Sequence, residues 1–226
     1  MLNNLFSTGL RRVRRWAQIL ALWALTPDVK IFVLPGGQRP ERKTDGAIGY
    51  DVYVRAVVSA ELMDPENPLL RKTLVNFRDP PHVTAPENAQ IQKRVEQKPD
   101  GSWVYKLYPG EFVTVGLGFV TEMPFPVMYW VSPRSGLASR YGVTLMNAPG
   151  TIDPDYRGEA CAVIVNNGTS VFEIALGLRI SQALFQWAMI PNLIEVTAME
   201  ELSGTGRSAD GLGSTGLYDQ PRSTSR

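Results

Sequence analysis

From residue 29 onward the sequence consists of short runs of β-branched and aromatic residues separated by glycine and proline. Such runs, bounded by turn-forming residues, are typical of β-strands. The candidate strands are residues 30–34, 50–58, 111–119, 127–132, 160–166, 171–174, 181–191 and 194–198. Segments with helical periodicity are nearly absent here, whereas the chain holds 17 prolines and 20 glycines. This pattern predicts an all-β fold with a closed or double-sheet antiparallel architecture: a sandwich, a barrel or a jelly roll.

Size, charge and residue usage narrow the function classes. A chain of 226 residues, 44% of them hydrophobic, suffices for one substantial core and is short for two. Its net charge of +1 lacks the basic surplus of nucleic-acid binders, so we expect no nucleic-acid partner. A single cysteine, Cys161, and a single histidine, His82, leave no disulfide framework and no cysteine or multi-histidine metal centre. Proton transfer near neutral pH then falls to a carboxylate, a tyrosine, a lysine or metal-bound water.

Residues 1–28 differ from the rest and are predicted to form an N-terminal helical extension. Four arginines precede apolar residues at helical spacing: Arg11, Arg12, Arg14, Arg15, then Trp16, Ile19, Leu20 and Trp23. The apolar run is shorter than the roughly 20 residues that span a bilayer, and no signal-peptide cleavage site is convincing. We expect the helix to dock on the protein itself or on a neighbouring subunit. A membrane surface or a partner protein bound by residues 1–26, or a flexible extension, are the alternatives. The expected location is cytoplasmic.

The segment 133–159, PRSGLASRYGVTLMNAPGTIDPDYRGE, concentrates side chains suited to a nucleotide. Residues 134–136, Arg-Ser-Gly, offer a guanidinium fork, a hydroxyl and an unobstructed backbone N–H to an oxyanion. The amide of Asn147 can donate and accept together, as a base edge requires. Asp153 and Tyr156 supply a candidate general base and a flat ring that could pack on a sugar. Taken alone, Asp153 could equally be a turn residue and Tyr156 a core tyrosine.

This segment and four others resemble the trimeric dUTP pyrophosphatase (dUTPase) family. The five motifs, in the family's order, are AIGYDVY at 47–53, PRSGLA at 133–138, NAPGTIDPDYRGE at 147–159, GLRISQ at 177–182 and a weaker RSADGLGSTG at 207–216. Each alone is a weak signal, but five in sequence are hard to obtain by chance. The resemblance implies a distorted jelly roll of the β-clip type, in agreement with the strand pattern. It also implies hydrolysis of dUTP to dUMP and pyrophosphate by a homotrimer in which each subunit contributes different motifs to one active site.

The resemblance also implies a role for each matched residue. Asp153 would orient the water that attacks the α-phosphate, and Tyr156 would pack under the deoxyribose and exclude a 2′-hydroxyl. Asn147 would read uracil with the neighbouring chain. The remaining substrate-binding residues are Thr151 and Ile152 beside Asn147, Arg134, Ser135, Gly136 and Gln182 at the phosphates, and Arg207, Gly213, Ser214 and Thr215 at the terminal phosphate. Asp51 would hold a hydrated Mg²⁺ through water, or would instead be the buried partner of an arginine. Arg179 is interpreted as structural.

The domain organisation follows from motif spacing and composition. Residues 29–202 are predicted to form the β domain. The 83 residues from the first motif at Asp51 to the second at Arg134 exceed the family's usual spacing, so 61–106 is interpreted as an inserted β excursion. Within it, PDG at 99–101 predicts a turn before a strand at 103–107. Residues 203–226, rich in glycine, serine and threonine, are predicted to be a flexible tail whose GLGSTG cradles phosphate.

Two other functions remain open on the sequence. A dCTP deaminase shares the fold and much of the second and third motifs, but it needs a catalytic glutamate where this chain has Val163, which cannot transfer protons. A non-catalytic or moonlighting interaction protein on the same scaffold would account for the N-terminal helix, the insertion and the altered tail. Retention of Arg134, Asp153 and Tyr156 argues against complete loss of catalysis.

The fifth motif departs from the family where Leu212 replaces an aromatic residue that would lie over the uracil. Ser208 and Asp210 also occupy positions that are commonly glycine. We expect weaker closure of the tail over the substrate, since ring stacking is lost. Leu212→Phe should therefore lower the KM for dUTP in steady-state kinetics. An unchanged or higher KM would contradict this explanation.

Overall fold

The computed structural model describes residues 26–78, 89–206 and 208, and for residues 89 and 90 the backbone alone. The strands are β1 (Lys30–Val33), β2 (Tyr50–Tyr53), β3 (Ala56–Met63), β4 (Arg71–Asn76), β5 (Val95–Gln97), β6 (Trp103–Leu107), β7 (Phe112–Gly116), β8 (Phe119–Glu122), β9 (Val127–Pro133), β10 (Val143–Leu145), β11 (Gly150–Ile152), β12 (Cys161–Asn166), β13 (Phe172–Ala175) and β14 (Arg179–Trp187). Two short helices, α1 (Ala89–Gln92) and α2 (Ser135–Tyr141), and a 3₁₀ turn (Met199–Glu201) complete the described elements. The N-terminal helix predicted within 1–28 falls almost wholly outside the described residues, as do Arg207, Gly213, Ser214 and Thr215.

Four antiparallel sheets build the domain. A five-stranded sheet has the order β10-β12-β7-β3-β4, and a four-stranded sheet has the order β11-β9-β14-β2. A three-stranded sheet, β13-β6-β5, and a pair, β1-β8, accompany them. The predicted all-β fold is confirmed. No helix among the described residues is long and apolar enough to cross a bilayer.

One buried cluster joins the sheets. Alternate residues of the strands point into it, as Tyr129 and Val131 do from β9 and Ala162 and Ile164 do from β12. Leu107 of β6 belongs to the same cluster. Phe119 of β8 lies in it as well, so all four sheets share this core, and their edges and loops carry the polar motifs.

Three predicted strands need correction. The run 111–119 is divided between β7 and β8, with Gly118 at φ +76° between them. The run 50–58 is two strands rather than one, because the chain passes from the four-stranded to the five-stranded sheet at Val54 and Arg55. The Val54 N–H donates to the Leu178 carbonyl and the Arg55 N–H to the Gly116 carbonyl, each at 2.9 Å. The predicted strand 194–198 is wrong: the segment forms no strand, and Ile194 is 86% exposed. Its β-branched residues match strand composition, but no neighbouring strand pairs with them.

The segment 61–106 contains the end of β3, then β4, α1, β5 and most of β6. The turn before β6 forms where PDG predicts it: the Lys98 N–H donates to the Ser102 carbonyl at 2.8 Å, and Gly101 adopts φ +85°. This left-handed conformation is one that glycine adopts without steric cost. That the segment is an insertion stays a prediction.

The described residues divide into two units at Ile190. The second unit has little regular structure, and its 3₁₀ turn is held by the Glu201 carboxylate. That carboxylate accepts hydrogen bonds from the N–H of Thr197 at 3.0 Å and of Ala198 at 3.1 Å. Local polar contacts therefore stabilise the described residues that follow the β domain.

Two glycines bring the loop after β1 against the turn between β7 and β8. A Cβ on Gly37 would lie 2.1 Å from the carbonyl oxygen of Gly118, and Gly118 itself has φ +76°. The same carbonyl accepts the Leu34 N–H at 2.9 Å, so neither backbone can move away without losing a hydrogen bond.

Gly37→Ala should lower the free energy of unfolding by about 1–3 kcal/mol, as overpacking against fixed backbone does. Equilibrium urea unfolding measures it. Gly46→Ala is the matched control, because a Cβ there meets nothing within 4 Å and the backbone is compatible with alanine. The control should change stability by less than about 1 kcal/mol. Equal effects of the two substitutions would contradict the close approach.

Candidate active site

Asp51 is the centre to which three sequence motifs converge. Strands β2 and β14 pair so that Asp51 lies opposite Gln182, whose Nε2 donates to Asp51 Oδ1 at 3.0 Å. Arg179 Nη1 donates to Oδ2 at 3.1 Å, and Arg134 Nε lies 3.4 Å from Oδ1. The structure therefore brings together the first, second and fourth motifs, which lie far apart in the chain.

The second motif reaches Asp51 because of how β9 ends. Arg134 follows β9 in an extended conformation, φ −94° and ψ 126°, and precedes α2. Its Nη1 donates to the Arg179 carbonyl at 2.9 Å, since β9 runs beside β14 with Pro133 opposite Ser181. The sheet register thus fixes both arginines on one carboxylate.

Gly49 makes room for this centre. A Cβ there would lie 3.2 Å from Gln182 Cδ, a tighter approach than ordinary packing. The glycine of AIGYDVY is therefore needed for the closeness of β2 to the Gln182 amide.

The electrostatics of the centre suit an anion. The Asp51 side chain is 5% exposed, while those of Arg134 and Arg179 are 24% and 45% exposed. One carboxylate cannot neutralise two guanidinium groups, so the solvent-facing side is positive and has free N–H donors. The alternative that made Asp51 a buried arginine partner matches this geometry, and its role toward Mg²⁺ stays a prediction.

The start of α2 and the third motif present exposed groups. Ser135 and Gly136 are exposed, and a Cβ on Gly136 would meet nothing within 4 Å. Strand β11 is the edge of the four-stranded sheet and pairs with β9, Thr151 opposite Trp130 and Ile152 opposite Tyr129. The third motif therefore runs beside the strand that ends at Pro133, next to Arg134.

Asn147 and Asp153, on either side of β11, are both exposed. The Asp153 carbonyl accepts the Tyr156 N–H at 3.2 Å, which closes a turn. Asp153 is therefore a turn residue, as its sequence context indicates, and its carboxylate is also free to meet solvent or a ligand.

Tyr156 is 38% exposed and so is not a core residue. Its hydroxyl donates to the Glu159 carbonyl at 3.1 Å. The ring lies against Gly158, where a Cβ would be 2.4 Å from the Tyr156 Oη. Burial raises the pKa of Tyr156 above 10.0, which keeps the phenol protonated and able to donate.

A buried ion pair beneath the third motif was missed by the sequence analysis. Glu159 is fully buried and accepts two hydrogen bonds from Arg55, from Nε to Oε1 at 2.7 Å and from Nη2 to Oε2 at 2.6 Å. The Gly118 N–H adds a third at 2.9 Å. One signal was available: a glutamate at the head of the apolar strand CAVIVN must find a partner when it is buried.

Within one chain the site is in two parts. Among the described residues, no hydrogen bond or ion pair joins Asp153 or Tyr156 to the Asp51 centre. Nor do those residues contain a group of three or more side chains that could hold a metal ion.

Comparison with known proteins gives one consistent result. The dUTPase family model matches residues 104–216. The deoxyuridine 5′-triphosphate nucleotidohydrolase of Nautilia profundicola is 45% identical over 108 residues, which are 48% of this chain and 74% of that protein. The enzyme of the same name from Rhizobium rhizogenes is 42% identical over 111 residues, 49% of this chain and 69% of that protein.

Solved structures show the same fold. The dUTPase of Staphylococcus bacteriophage 80alpha, with dUpNHpp, aligns with a TM-score of 0.57 at 18% identity, covering 85% of this chain and all of that one. A point mutant of the dUTPase from phage phi11 of S. aureus, described with a structural Mg(II) ion, aligns with a TM-score of 0.52 at 15% identity. It covers 76% of this chain and 99% of its own.

Proposed function

Because this chain belongs to the dUTPase family, we propose that it hydrolyses dUTP to dUMP and pyrophosphate at the residues described above. The observation that carries the proposal is the convergence of Asp51, Arg134 and Gln182 from three separate motifs on one partly exposed, positively charged centre. Such a centre can bind the phosphate chain of a nucleotide.

The phosphates lie at the partly exposed guanidinium of Arg134 and the groups that follow it. Ser135 and Gly136 are exposed, and the Gln182 amide is held on Asp51. Arg207, Gly213, Ser214 and Thr215 of the fifth motif complete the set at the terminal phosphate. Fixed cations and N–H donors lower the barrier by stabilising negative charge that develops on the leaving diphosphate.

Asp153 orients the attacking water. Its carboxylate is exposed and makes no hydrogen bond with another described side chain, so both oxygens can accept from a water molecule. The contribution of Asp153 is to hold the water in line with the departing group.

Selectivity comes from the third motif. Asn147 reads the uracil edge with the backbone of Thr151 and Ile152, because an amide offers a donor and an acceptor together. Tyr156 lies under the deoxyribose and leaves no space for a 2′-hydroxyl. Its restricted position, against Gly158 and bonded to Glu159, supports this role.

Mg²⁺ fits this site in combination with the substrate. Asp51 Oδ2 accepts one hydrogen bond, from Arg179, and keeps acceptor capacity for a metal-bound water. Mg²⁺ retains several waters and is held by one or two carboxylates plus phosphates, so a single carboxylate is enough. Bound there through water, the ion would offset the charge of the phosphate chain.

A homotrimer in the cytoplasm is the proposed working form. The lack of a hydrogen bond or ion pair between the Asp51 centre and the Asp153–Tyr156 turn, within the described part of one chain, is consistent with sites completed by neighbouring subunits. Sedimentation of the purified protein tests the assembly state, and a monomer that turns over dUTP would overturn it.

Asp153→Asn should reduce kcat for dUTP by roughly 10²-fold or more, because the amide no longer accepts from the water with a full charge. Pyrophosphate release measures the rate. Asp155→Asn is the matched control: Asp155 is exposed in the same turn, two residues on, and the proposal gives it no role. Equal turnover by wild type and Asp153→Asn would remove the assignment, as would an equal loss in the control.

Asp51→Asn should raise the Mg²⁺ concentration needed for half-maximal hydrolysis, since the water-mediated contact loses its charge. A direct readout is the affinity for a non-hydrolysable dUTP analogue, measured with and without Mg²⁺. The increase in affinity on adding Mg²⁺ should be smaller for the variant than for the wild type. The thermal stability of the variant is measured alongside the Mg²⁺ titration, because the substitution leaves Arg134 and Arg179 without their counter-charge. An unchanged dependence on Mg²⁺ would exclude Asp51 from the metal site.

A further inference from the structure

The ring of Tyr156 is fixed by contacts behind it. Its hydroxyl donates to the Glu159 carbonyl at 3.1 Å, and its edge lies where a Cβ of Gly158 would be, 2.6 Å from Cζ. The ring therefore keeps its position only while the chain at 158–159 stays where it is.

The chain at Glu159 is held by its own buried side chain. The carboxylate accepts three N–H groups, two from Arg55 and one from Gly118. A Cβ on Gly116 would lie 2.4 Å from Glu159 Oε1, so the carboxylate fills the space against that strand as well. Glu159 is 1% exposed, so these N–H groups satisfy its carboxylate in place of water.

Backbone pairing continues this restraint. The Ala160 N–H donates to the Phe119 carbonyl at 3.0 Å, and the Leu117 N–H donates to the Ala160 carbonyl at 2.9 Å. The Arg55 N–H donates to the Gly116 carbonyl at 2.9 Å. Arg55 and the chain at Glu159 are thus linked in two ways: by the side-chain ion pair, and by backbone hydrogen bonds to the same connection between β7 and β8.

We propose that Arg55 and Glu159 are positioning residues that set the preference for deoxyribose over ribose by fixing the ring of Tyr156. The inference rests on the proposed function, because it presupposes that Tyr156 lies under the sugar. Neither residue touches the substrate: Glu159 acts through its carbonyl and Gly158, and Arg55 acts through Glu159.

The chemistry of the pair favours positioning over stability alone. A buried ion pair gains little over well-packed apolar residues of the same volume, since both charges must be desolvated. A bidentate guanidinium–carboxylate contact instead fixes direction and distance. That directional restraint acts on a backbone carbonyl bonded to a residue of the candidate site.

Gly158→Ala is the sharpest test, because it displaces the ring without touching the buried pair. The measured quantity is the ratio of kcat/KM for dUTP to kcat/KM for UTP. We expect this ratio to fall about tenfold or more, the size of effect that loss of one close steric contact has on specificity. Tyr156→Phe, which keeps the ring and loses the bond to the Glu159 carbonyl, should lower the ratio less.

The pair itself is tested with Arg55→Lys and Glu159→Gln. Lysine keeps the positive charge but cannot make the bidentate contact with Glu159. Arg55→Lys should therefore lower the ratio of kcat/KM for dUTP to kcat/KM for UTP while retaining the fold. Arg94→Lys is the matched control, since Arg94 forms a partly buried ion pair with Glu111 outside the candidate site. The control should lower the melting temperature and leave the ratio unchanged.

The outcomes separate the two proposals. A folded wild-type protein without activity on dUTP would overturn the proposed function and this inference with it. An active wild type whose Arg55→Lys variant keeps the wild-type ratio would overturn the inference alone, whatever Gly158→Ala does. If Glu159→Gln does not fold, the Arg55→Lys result decides, because lysine keeps the positive charge beside Glu159.

The pKa of Tyr156 provides a second readout, followed by NMR of labelled tyrosine. It should fall toward 10 in Gly158→Ala as the ring becomes more exposed, because burial is what raises it. A lowered pKa with an unchanged ratio would show that the ring moved without changing the selectivity, which overturns the inference.

Discussion

The contact between Arg55 and Glu159 is the constraint on which the arrangement of the third motif depends. It joins the connection between β2 and β3 to the chain just before β12, across a separation of 104 residues. Removing one partner of such a pair would leave a buried charge uncompensated, at a cost of about 3–5 kcal/mol. The position of the third motif therefore depends on a contact between elements from both sides of the long segment 61–106.

Asp51 is a second buried carboxylate, but its charge balance differs from that of Glu159. Glu159 meets one guanidinium, and that pair is closed to solvent apart from the 14% exposed Arg55 side chain. Asp51 meets two, one of them nearly half exposed. The first pair is electrically complete and so can only hold structure in place. The second leaves positive charge and N–H donors facing outward, as an anion site requires. The number of positive charges around each carboxylate thus distinguishes a structural ion pair from an anion-binding centre. The distinction does not depend on comparison with related proteins.

The sequence predicts much of this structure, and its failures have physical causes. The all-β fold follows from the strand pattern, and the motifs that meet at Asp51 are visible in the order of residues. The break at Val54 and Arg55 was not predicted, because strand propensity is continuous there. The break depends on contacts with residues distant in sequence, which local propensity does not report. Residues 194–198 have the composition of a strand, yet pairing decides strand formation, and composition does not report it. The short helix α2 lies below the length at which helical periodicity can be recognised.

Three glycines show how closely this site is built. Gly49, Gly116 and Gly158 each occupy a position where a Cβ would press on Gln182, Glu159 or Tyr156 respectively. None of the three has a left-handed φ, so backbone conformation does not require glycine at any of them. What requires it is the side chain opposite, which occupies the space that a methyl group would fill. Each glycine lies in or beside a motif whose polar residues would draw attention first, and each fixes where a polar or aromatic neighbour can lie. The geometry of the candidate site therefore depends on these glycines, which leave space for their neighbours, as much as on the residues proposed to bind the substrate.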